Sequence, residues 1–274
     1  MLGKLYLVST PIGNLEDITY RAVRVLQESD LIAAEDTRNS RKLLNHLGIK
    51  KPMVSYYEHN KVSRETELLS ALENGQTIAV ISDAGTPGLS DPGADIARAA
   101  IAAGFDVIAV PGASALLTAL VTSGLDTARF AFEGFLPRVK SSRRKVLQSL
   151  ANEERTMVFY EAPHRVLAFL EDAEEIFGLR QISAARELTK MFEETVRGNT
   201  KEVREYFLAH PPRGEFTLVI SGAIMHKEPV PDEQSLKQEL YQIISSGLSR
   251  KEAAKQVAGK YNLSVREVYR LGLK

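Results

Sequence analysis

One stretch constrains the fold more than any other: Ile78-Ala-Val-Ile-Ser-Asp-Ala-Gly-Thr-Pro-Gly-Leu-Ser-Asp-Pro-Gly93. Ile78, Val80 and Ile81 make a β-branched run, and a short apolar run of that kind bounded by turn residues is a buried strand. Gly85, Gly88 and Gly93 allow close backbone approach while Pro87 and Pro92 stiffen the same loop, so the loop is shaped and not floppy. Asp91-Pro92 then opens a helix that stops at Gly104. Strand, shaped loop and helix define an α/β unit, and open α/β sheets bind ligands outside the carboxyl ends of their strands. A tightly packed turn with no ligand is the alternative.

Four more strands are expected in the first half, at 5–9, 31–34, 53–57 and 107–110. Between them a helix capped by Asp17 carries Ile18, Ala22, Val25 and Leu26 on one face, and another spans 63–74. This alternation predicts a parallel sheet covered on both faces. Three strands end in loops rich in Gly, Pro, Ser or Thr, at 10–14, 83–93 and 111–114, and a parallel sheet brings all three to one edge. Neither a dinucleotide fingerprint nor a phosphate-cradling loop is present in them.

Beyond Ala115 the pattern restarts, with strands at 129–132, 156–160, 182–185 and 216–220 and helices near 140–151, 163–177 and 200–209. Val166, Leu170, Ala173 and Phe177 share a face of the middle helix, which stops at Gly178. The expected organisation is therefore an α/β domain over 1–115, a second over 116–225, a Pro-bearing linker at 226–232 and a helical module over 233–274. At 274 residues the chain is long enough for this division.

Lys+Arg and Asp+Glu each count 35, so net charge carries no message about a nucleic-acid partner. The absence of Cys excludes disulfides and thiolate zinc sites, and five unpaired His give no support to a metal. No membrane span or signal peptide is expected, and the protein reads as soluble and cytoplasmic. Charge is unevenly placed. Arg138, Lys140, Arg143, Arg144 and Lys145 crowd one helix start, and Arg forks suit phosphate oxygens. Glu161 and Arg165 follow one strand, and Arg186, Glu187 and Lys190 follow another. Such strand ends are either ion pairs at the sheet edge or the walls of a polar site.

The segment 248–271 reads as helix, Gly-containing turn and helix, with Ala253, Val257, Leu263, Val268 and Leu271 facing inward. Ser249-x-x-Glu252 and Ser264-x-x-Glu267 are capping boxes by pattern. From Ser249 to Lys274 seven Lys/Arg face two Glu, which suits either a polyanion-binding appendage or a small docking bundle.

Eight blocks in order, TPIGNLEDIT (10–19), AAEDTR (33–38), SDAGTPGLSDPG (82–93), PGASALLTAL (111–120), FEGFLPR (132–138), FYEAPHR (159–165), ARELTK (185–190) and GEFTLVI (214–220), make the chain similar to a known family. It resembles the tetrapyrrole-methylase-like, class III S-adenosylmethionine-dependent methyltransferases, and within them those acting on small-subunit ribosomal RNA. The resemblance implies a homodimer of two α/β domains with S-adenosylmethionine in the cleft between them. It implies 2′-O-methylation of a cytidine in the decoding region, in the RNA or the assembled 30S subunit. It places the cofactor at Ile12, Gly13, Asp83, Ala84, Gly85, Thr86, Ser114, Ala115, Tyr160 and Ala185. The candidate catalytic pair is Glu187 and Lys190, with Glu35 and Glu161 in reserve, because a ribose hydroxyl needs a base or a cation at its developing alkoxide. RNA contacts are expected at Arg38, Arg138, Lys140, Arg143, Arg144, Arg165, Arg186, Arg250, Lys251 and Arg266. Other readings are a tetrapyrrole-precursor or protein side-chain methyltransferase of the same fold, and a nucleic-acid-binding regulator.

Overall fold

The computed structural model describes residues 2–223, 231–261 and 263–272. They fall into two compact units, Met1–Ala223 and Ile224–Lys274.

The first unit begins with β1 (Lys4–Val8), α1 (Tyr20–Glu28), β2 (Leu31–Ala34), α2 (Thr37–His46), β3 (Met53–Ser55), α3 (Lys61–Glu73), β4 (Ile78–Ile81), α4 (Gly93–Ala102) and β5 (Asp106–Val110). The strands form one sheet in the order β3-β2-β4-β1-β5, every pair parallel. All four residues of β4 are buried, as a strand covered on both faces requires. One face packs on α1 and α2 through Ala22, Val25, Leu26 and Leu44; the other packs on α3 and α4 through Leu68, Leu72, Ile96 and Ala100. Each fully buried Leu or Ile contributes about 1.5–3 kcal/mol, so these two layers fix the direction in which the strand ends point.

Several boundaries differ from expectation. Asp17 does not cap α1: it lies in a 3-10 turn, Leu15–Asp17, that Asn14 caps, while the Thr19 hydroxyl accepts from the Ala22 amide at 3.0 Å. Asp17 lies inside that turn, leaving the first free amides of the helix to Thr19. Helices α2 and α5 (Ala115–Thr122) and a strand over Glu194–Asn199 were not expected.

The rest of the unit is β6 (Phe130–Phe135), α6 (Lys140–Ser149), β7 (Thr156–Glu161), α7 (Val166–Phe177), β8 (Gln181–Arg186), β9 (Glu194–Asn199), α8 (Thr200–Ala209) and β10 (Phe216–Ile220). The second sheet, β6-β7-β10-β8-β9, is mixed: β6 and β7 are parallel, and the other pairs are antiparallel. Val166, Leu170, Ala173 and Phe177 enter its core as expected, and Gly178 ends α7 at φ 67°. Helix α5 packs Leu116, Ala119 and Leu120 on the other face, against Val158, Ala185 and Val219.

The second unit holds α9 (Glu233–Ser245), α10 (Arg250–Tyr261) and α11 (Val265–Leu271) around a core of its own that includes Leu240, Ala253, Val257 and Val268. Gly259, expected in a turn, lies inside α10. The Ser249–Glu252 capping box forms, with the Glu252 amide donating to Ser249 Oγ at 3.3 Å and the Ser249 amide donating to Glu252 Oε2 at 3.2 Å. The Ser264–Glu267 box does not: Ser264 makes no side-chain cap, and only its carbonyl accepts from the Val268 amide. The linker expected at 226–232 falls largely on 226–230, outside the described residues.

Candidate active site

Strand order explains how the loops converge. β4, β1 and β5 are neighbours, so the loops at 83–93, 10–14 and 111–114 emerge side by side, with Glu35 beside them after β2. Thr10 and Gly85 exchange backbone hydrogen bonds, the Thr10 amide donating at 2.9 Å and the Gly85 amide at 3.0 Å. Gly85 does so at φ 80°, a conformation that side chains disfavour. The Ser9 hydroxyl donates to Thr86 Oγ1 at 3.2 Å and Thr86 donates to the Ala113 carbonyl at 3.3 Å, joining the third loop. Asp91 holds the turn of the second loop, accepting from the amides of Gly88 and Gly93 at 2.8 Å each.

The second sheet supplies the opposite wall. Because β10 runs antiparallel to β7 and β8, its first residues lie beside their last, pairing Phe216 with Glu161 and with Arg186. Tyr160, Glu161, Glu187, Glu215, Phe216 and Thr217 are thereby brought to one edge, and β6 adds Phe135. The cleft has a volume of about 280 Å³. The Tyr160 hydroxyl accepts from the Leu116 amide at 3.2 Å, tying the second wall to the start of α5.

The segment after β8 is under backbone strain. Glu187 and Thr189 adopt φ 51° and 67°, in the left-handed region. Non-glycine residues held there cost of order 1 kcal/mol or more and concentrate at functional sites. Their conformation is over-determined: the Asn14 amide donates to Thr189 Oγ1 at 3.1 Å, and the Thr189 amide donates to Glu193 Oε2 at 2.6 Å. Gly214 leaves room for the Glu187 side chain, since a Cβ there would lie 2.1 Å from Glu187 Oε1. Lys190 Nζ donates to that carboxylate at 2.9 Å.

The cleft is acidic. Glu35 and Asp83 clasp one another's loops, the Asp83 amide donating to Glu35 Oε2 and the Asp36 amide to Asp83 Oδ1, each at 3.2 Å. Burial raises the pKa of both carboxyls, with repulsion from Asp83 adding to it at Glu35 and repulsion from Asp36 adding to it at Asp83. Burial raises Glu161 likewise, against the Arg165 guanidinium 3.1 Å away. Asp36 goes the other way, held down to about 2 by the Arg38 guanidinium. Two buried polar atoms, Ser114 Oγ and Glu161 Oε2, have no protein partner. Buried oxygens without partners are costly; Glu161 lines the cleft, where a ligand carrying donors would satisfy it, and Ser114 sits beside the lining residue Ala115.

Of the residues expected at the cofactor, Ile12, Asp83, Ala84, Gly85, Thr86, Ala115 and Tyr160 line the cleft, as do Glu187, Lys190, Glu35 and Glu161. Ser114 occupies the N-cap position of α5, next to Ala115, without a side-chain cap bond, and is not itself among the lining residues. Ala185 is fully buried in the layer beneath, packed with Val158 and Val219. Gly13 faces Lys190: a Cβ on it would stand 2.4 Å from Lys190 Cγ. Ser90 and Asp91, from the 83–93 loop expected to form the rim, also line the cleft, and Phe135, Glu215 and Thr217 line it without having been expected there. FEGF and GEF at 132–135 and 214–216 were visible as motifs, but only the sheet register reveals that they share an edge with Tyr160.

The basic residues divide. Arg143 does not present its guanidinium to solvent: it is 4% exposed, and Asp172, fully buried, accepts from its Nε at 2.8 Å. The expectation of a phosphate contact is corrected there, because the buried carboxylate already takes the guanidinium. Arg144 is held by Asp172 and Glu175, Arg165 by Glu161 and the Leu136 carbonyl, and Arg186 by Glu194. Arg138 and Lys140 are exposed, as is Arg38 beside Asp36. Arg250, Lys251 and Arg266 are exposed on the second unit. Among the described residues no His/Asp/Glu group could hold a metal, and no helix is long and apolar enough to cross a membrane.

Two sheets whose edges close on a cleft of shaped loops define the class. The chain belongs to the tetrapyrrole (corrin/porphyrin) methylases, whose family model matches residues 4–204. Solved structures agree in fold: a uroporphyrin-III C-methyl transferase from Thermus thermophilus complexed with S-adenyl homocysteine (19% identical, TM-score 0.58, 80% of this chain and 97% of that one), and a diphthine synthase (12%, TM-score 0.62, 82% and 92%). Within the family, it is similar to proteins named ribosomal RNA small subunit methyltransferase I. The one from Synechocystis sp. is 50% identical over 99% of this chain and 98% of its own length, and that from Bacillus subtilis is 45% identical over 98% and 93%. The chain is a methyltransferase, and its cofactor is S-adenosylmethionine. The site fits that cofactor: orphaned buried acceptors and raised carboxyls suit a ligand carrying a sulfonium, an ammonium and hydroxyls.

Proposed function

We propose that the protein transfers a methyl group from S-adenosylmethionine to the 2′-oxygen of a cytidine ribose in the decoding region of small-subunit ribosomal RNA. End-to-end similarity to proteins named for small-subunit ribosomal RNA carries this reading, at 50% identity over 99% of the chain. S-adenosylmethionine, when bound, supplies an electrophilic methyl on sulfur. Ile12, the Asp83–Thr86 loop, Ser114, Ala115 and Tyr160 would hold it. Phase and position then matter most: two rigid walls hold nucleophile and methyl in line, and good alignment is worth orders of magnitude in rate.

The 2′-hydroxyl loses its proton as its oxygen bonds the methyl. A carboxylate in the cleft takes that proton, and Glu187 is placed to do so beside Lys190. The Lys190 ammonium, 2.9 Å from Glu187 Oε1, stabilises negative charge developing on the oxygen. Glu35 and Glu161, with their raised pKa, are reserve bases on the facing walls. The same reading makes the protein a cytoplasmic homodimer, for which exposed Leu117, Val121, Met191 and Phe192 offer apolar surface.

Small subunits lacking the modification, incubated with radiolabelled cofactor and digested to nucleosides, test the reading. A labelled 2′-O-methylcytidine is expected. Label in a base, in ribosomal protein or nowhere would overturn it.

A further inference from the structure

From Thr37 to Tyr57 the chain carries Arg38, Arg41, Lys42, Lys50 and Lys51 and not one Asp or Glu, although the whole protein is neutral. The fold gathers this run on one face. Arg41, Lys42 and Lys50 are exposed, and Lys51 is half-buried. Arg41, Asn45, Lys50 and Lys51 ring a shallow cavity of about 180 Å³ floored by Leu44 and Ile49. Arg41, Lys42, Lys50 and Lys51 have no ion-pair partner among the described residues. That separates them from Lys140, Arg144, Arg155 and Arg98, all held by carboxylates. Alpha-helix α1 packs on the same sheet face and adds exposed Arg21 and Arg24.

Position gives this charge a use. Helix α2 starts at Thr37, directly after its N-cap Asp36 and the cleft-lining Glu35, and its ten residues span about 15 Å. Arg41 and Lys42 sit midway along it, and Lys50 and Lys51 follow in the segment between α2 and β3. A nucleotide held in the cleft therefore has, a few nucleotides along its strand, a surface of uncompensated positive charge. Like-charged side chains repel one another, so the arrangement is relieved when anions come between them. The concavity is too open and too small for a whole nucleotide, but it accepts a backbone phosphate, which Arg and Lys recognise without reading sequence.

We infer that the face formed by Arg41, Lys42, Lys50 and Lys51 is a phosphate-binding track that holds the RNA backbone leading into the cleft. The inference rests on the RNA reading above and adds a surface to it. Neutralising Arg41, Lys50 and Lys51 together (Arg41→Gln, Lys50→Gln, Lys51→Gln) removes three phosphate contacts. Each contact on a single strand contributes about 0.7 to the log–log salt slope, so the slope flattens by about 2 and affinity near 0.2 M salt falls more than tenfold.

Two measurements on the full chain separate this surface from the catalytic reading. Filter binding to deproteinised small-subunit ribosomal RNA across a salt series reads the track directly. Methyl transfer at saturating small subunits reads catalysis, and cofactor titration verifies that the variant is folded. Weaker RNA binding with a flatter slope, unchanged cofactor affinity and unchanged kcat support the track. A Lys42→Gln, Lys50→Gln double variant gives an intermediate slope on the same terms, and removing Lys4 and Lys201, outside the run, leaves the slope unchanged. RNA binding and slope equal to wild type in the triple variant would overturn the track, as would a wild-type protein that does not bind this RNA. A wild type that binds RNA through these residues yet transfers no methyl to it would sink the catalytic reading and leave the track standing.

Discussion

Gly13 offers the sharpest test of how the two walls meet. Adding one methyl, Gly13→Ala, places a Cβ 2.4 Å from Lys190 Cγ and 2.9 Å from Lys190 Cε, where ordinary contact is about 3.4 Å or more. The overlap of about 1 Å must be relieved by moving the Lys190 side chain, because the Leu188 carbonyl at 3.1 Å already confines the new carbon on another side. Forcing a side chain off its rotamer costs about 0.5–1.5 kcal/mol. Losing the Lys190–Glu187 contact adds little, since both side chains are partly exposed, at 36% and 22%, and such pairs are screened. The stability loss should therefore be near 1 kcal/mol in urea. The rate loss should be larger, up to about a hundredfold in single-turnover methyl transfer, because an ångström of misplacement costs that much. Lys190→Ala removes the obstacle. In that background Gly13→Ala should cost almost nothing further in rate or stability, leaving a large coupling in the double-mutant cycle. Additive effects would refute the contact as the cause.

Other outcomes follow from the same geometry. Asp172→Asn leaves Arg143 buried against a neutral group and should destabilise the first unit by about 3–5 kcal/mol in denaturant titration; a loss below about 1 kcal/mol would refute a tight buried pair. Glu35 and Asp83 have raised folded pKa values, so the stability they contribute is present at low pH and is lost as pH rises through those values. A cationic cofactor reverses the preference, and its affinity should climb as pH rises through the range where these raised carboxyls ionise, with proton release read by calorimetry in two buffers; binding without proton release would count against contact with these carboxyls. Glu187→Ala and Lys190→Ala should each slow single-turnover methyl transfer while cofactor affinity stays nearly intact, and wild-type rates would withdraw their role. Deleting 233–274 should weaken RNA binding and flatten its salt slope while cofactor titration is unaffected; a monomer on sedimentation with an unchanged slope would assign that unit to dimerisation instead.

What the sequence made legible was whatever depended on local pattern. β4 and its loop read directly, because a β-branched run buried on both faces leaves no other period. The missed elements lack such a signal. Helix α2 buries only Ser40 and Leu44, so its polar surface hides the apolar stripe. Helix α5 is apolar nearly throughout, which removes the contrast on which periodicity relies. Strand β9 has no fully buried residue and reads as loop. The half of the site on the second sheet depended on strand direction, which no local pattern encodes. Only the antiparallel return of β10 brings Glu215 and Thr217 next to Tyr160.

Charge shows the same division between local pattern and three-dimensional placement. A net charge of zero says nothing about a polyanionic partner, because the balance is a sum of segregated parts. Acid collects in the cleft, where Glu35, Asp83, Asp91, Glu161, Glu187 and Glu215 face Lys190. Base collects on α2 and the turn after it, and again on α10 and α11. Two ligands of opposite charge require this separation. A cationic methyl donor is drawn to the carboxyls, while RNA would be repelled by them and must be held by cations some distance away. On the proposed reading, the acidic cleft takes a nucleotide whose flanking backbone is held by the cations of the α2 face, and disfavours polyanion that lacks such support. If the α2 face holds RNA as proposed, affinity for RNA and chemistry on RNA reside on different faces, and neutralising the α2 face should change salt dependence while leaving kcat in place.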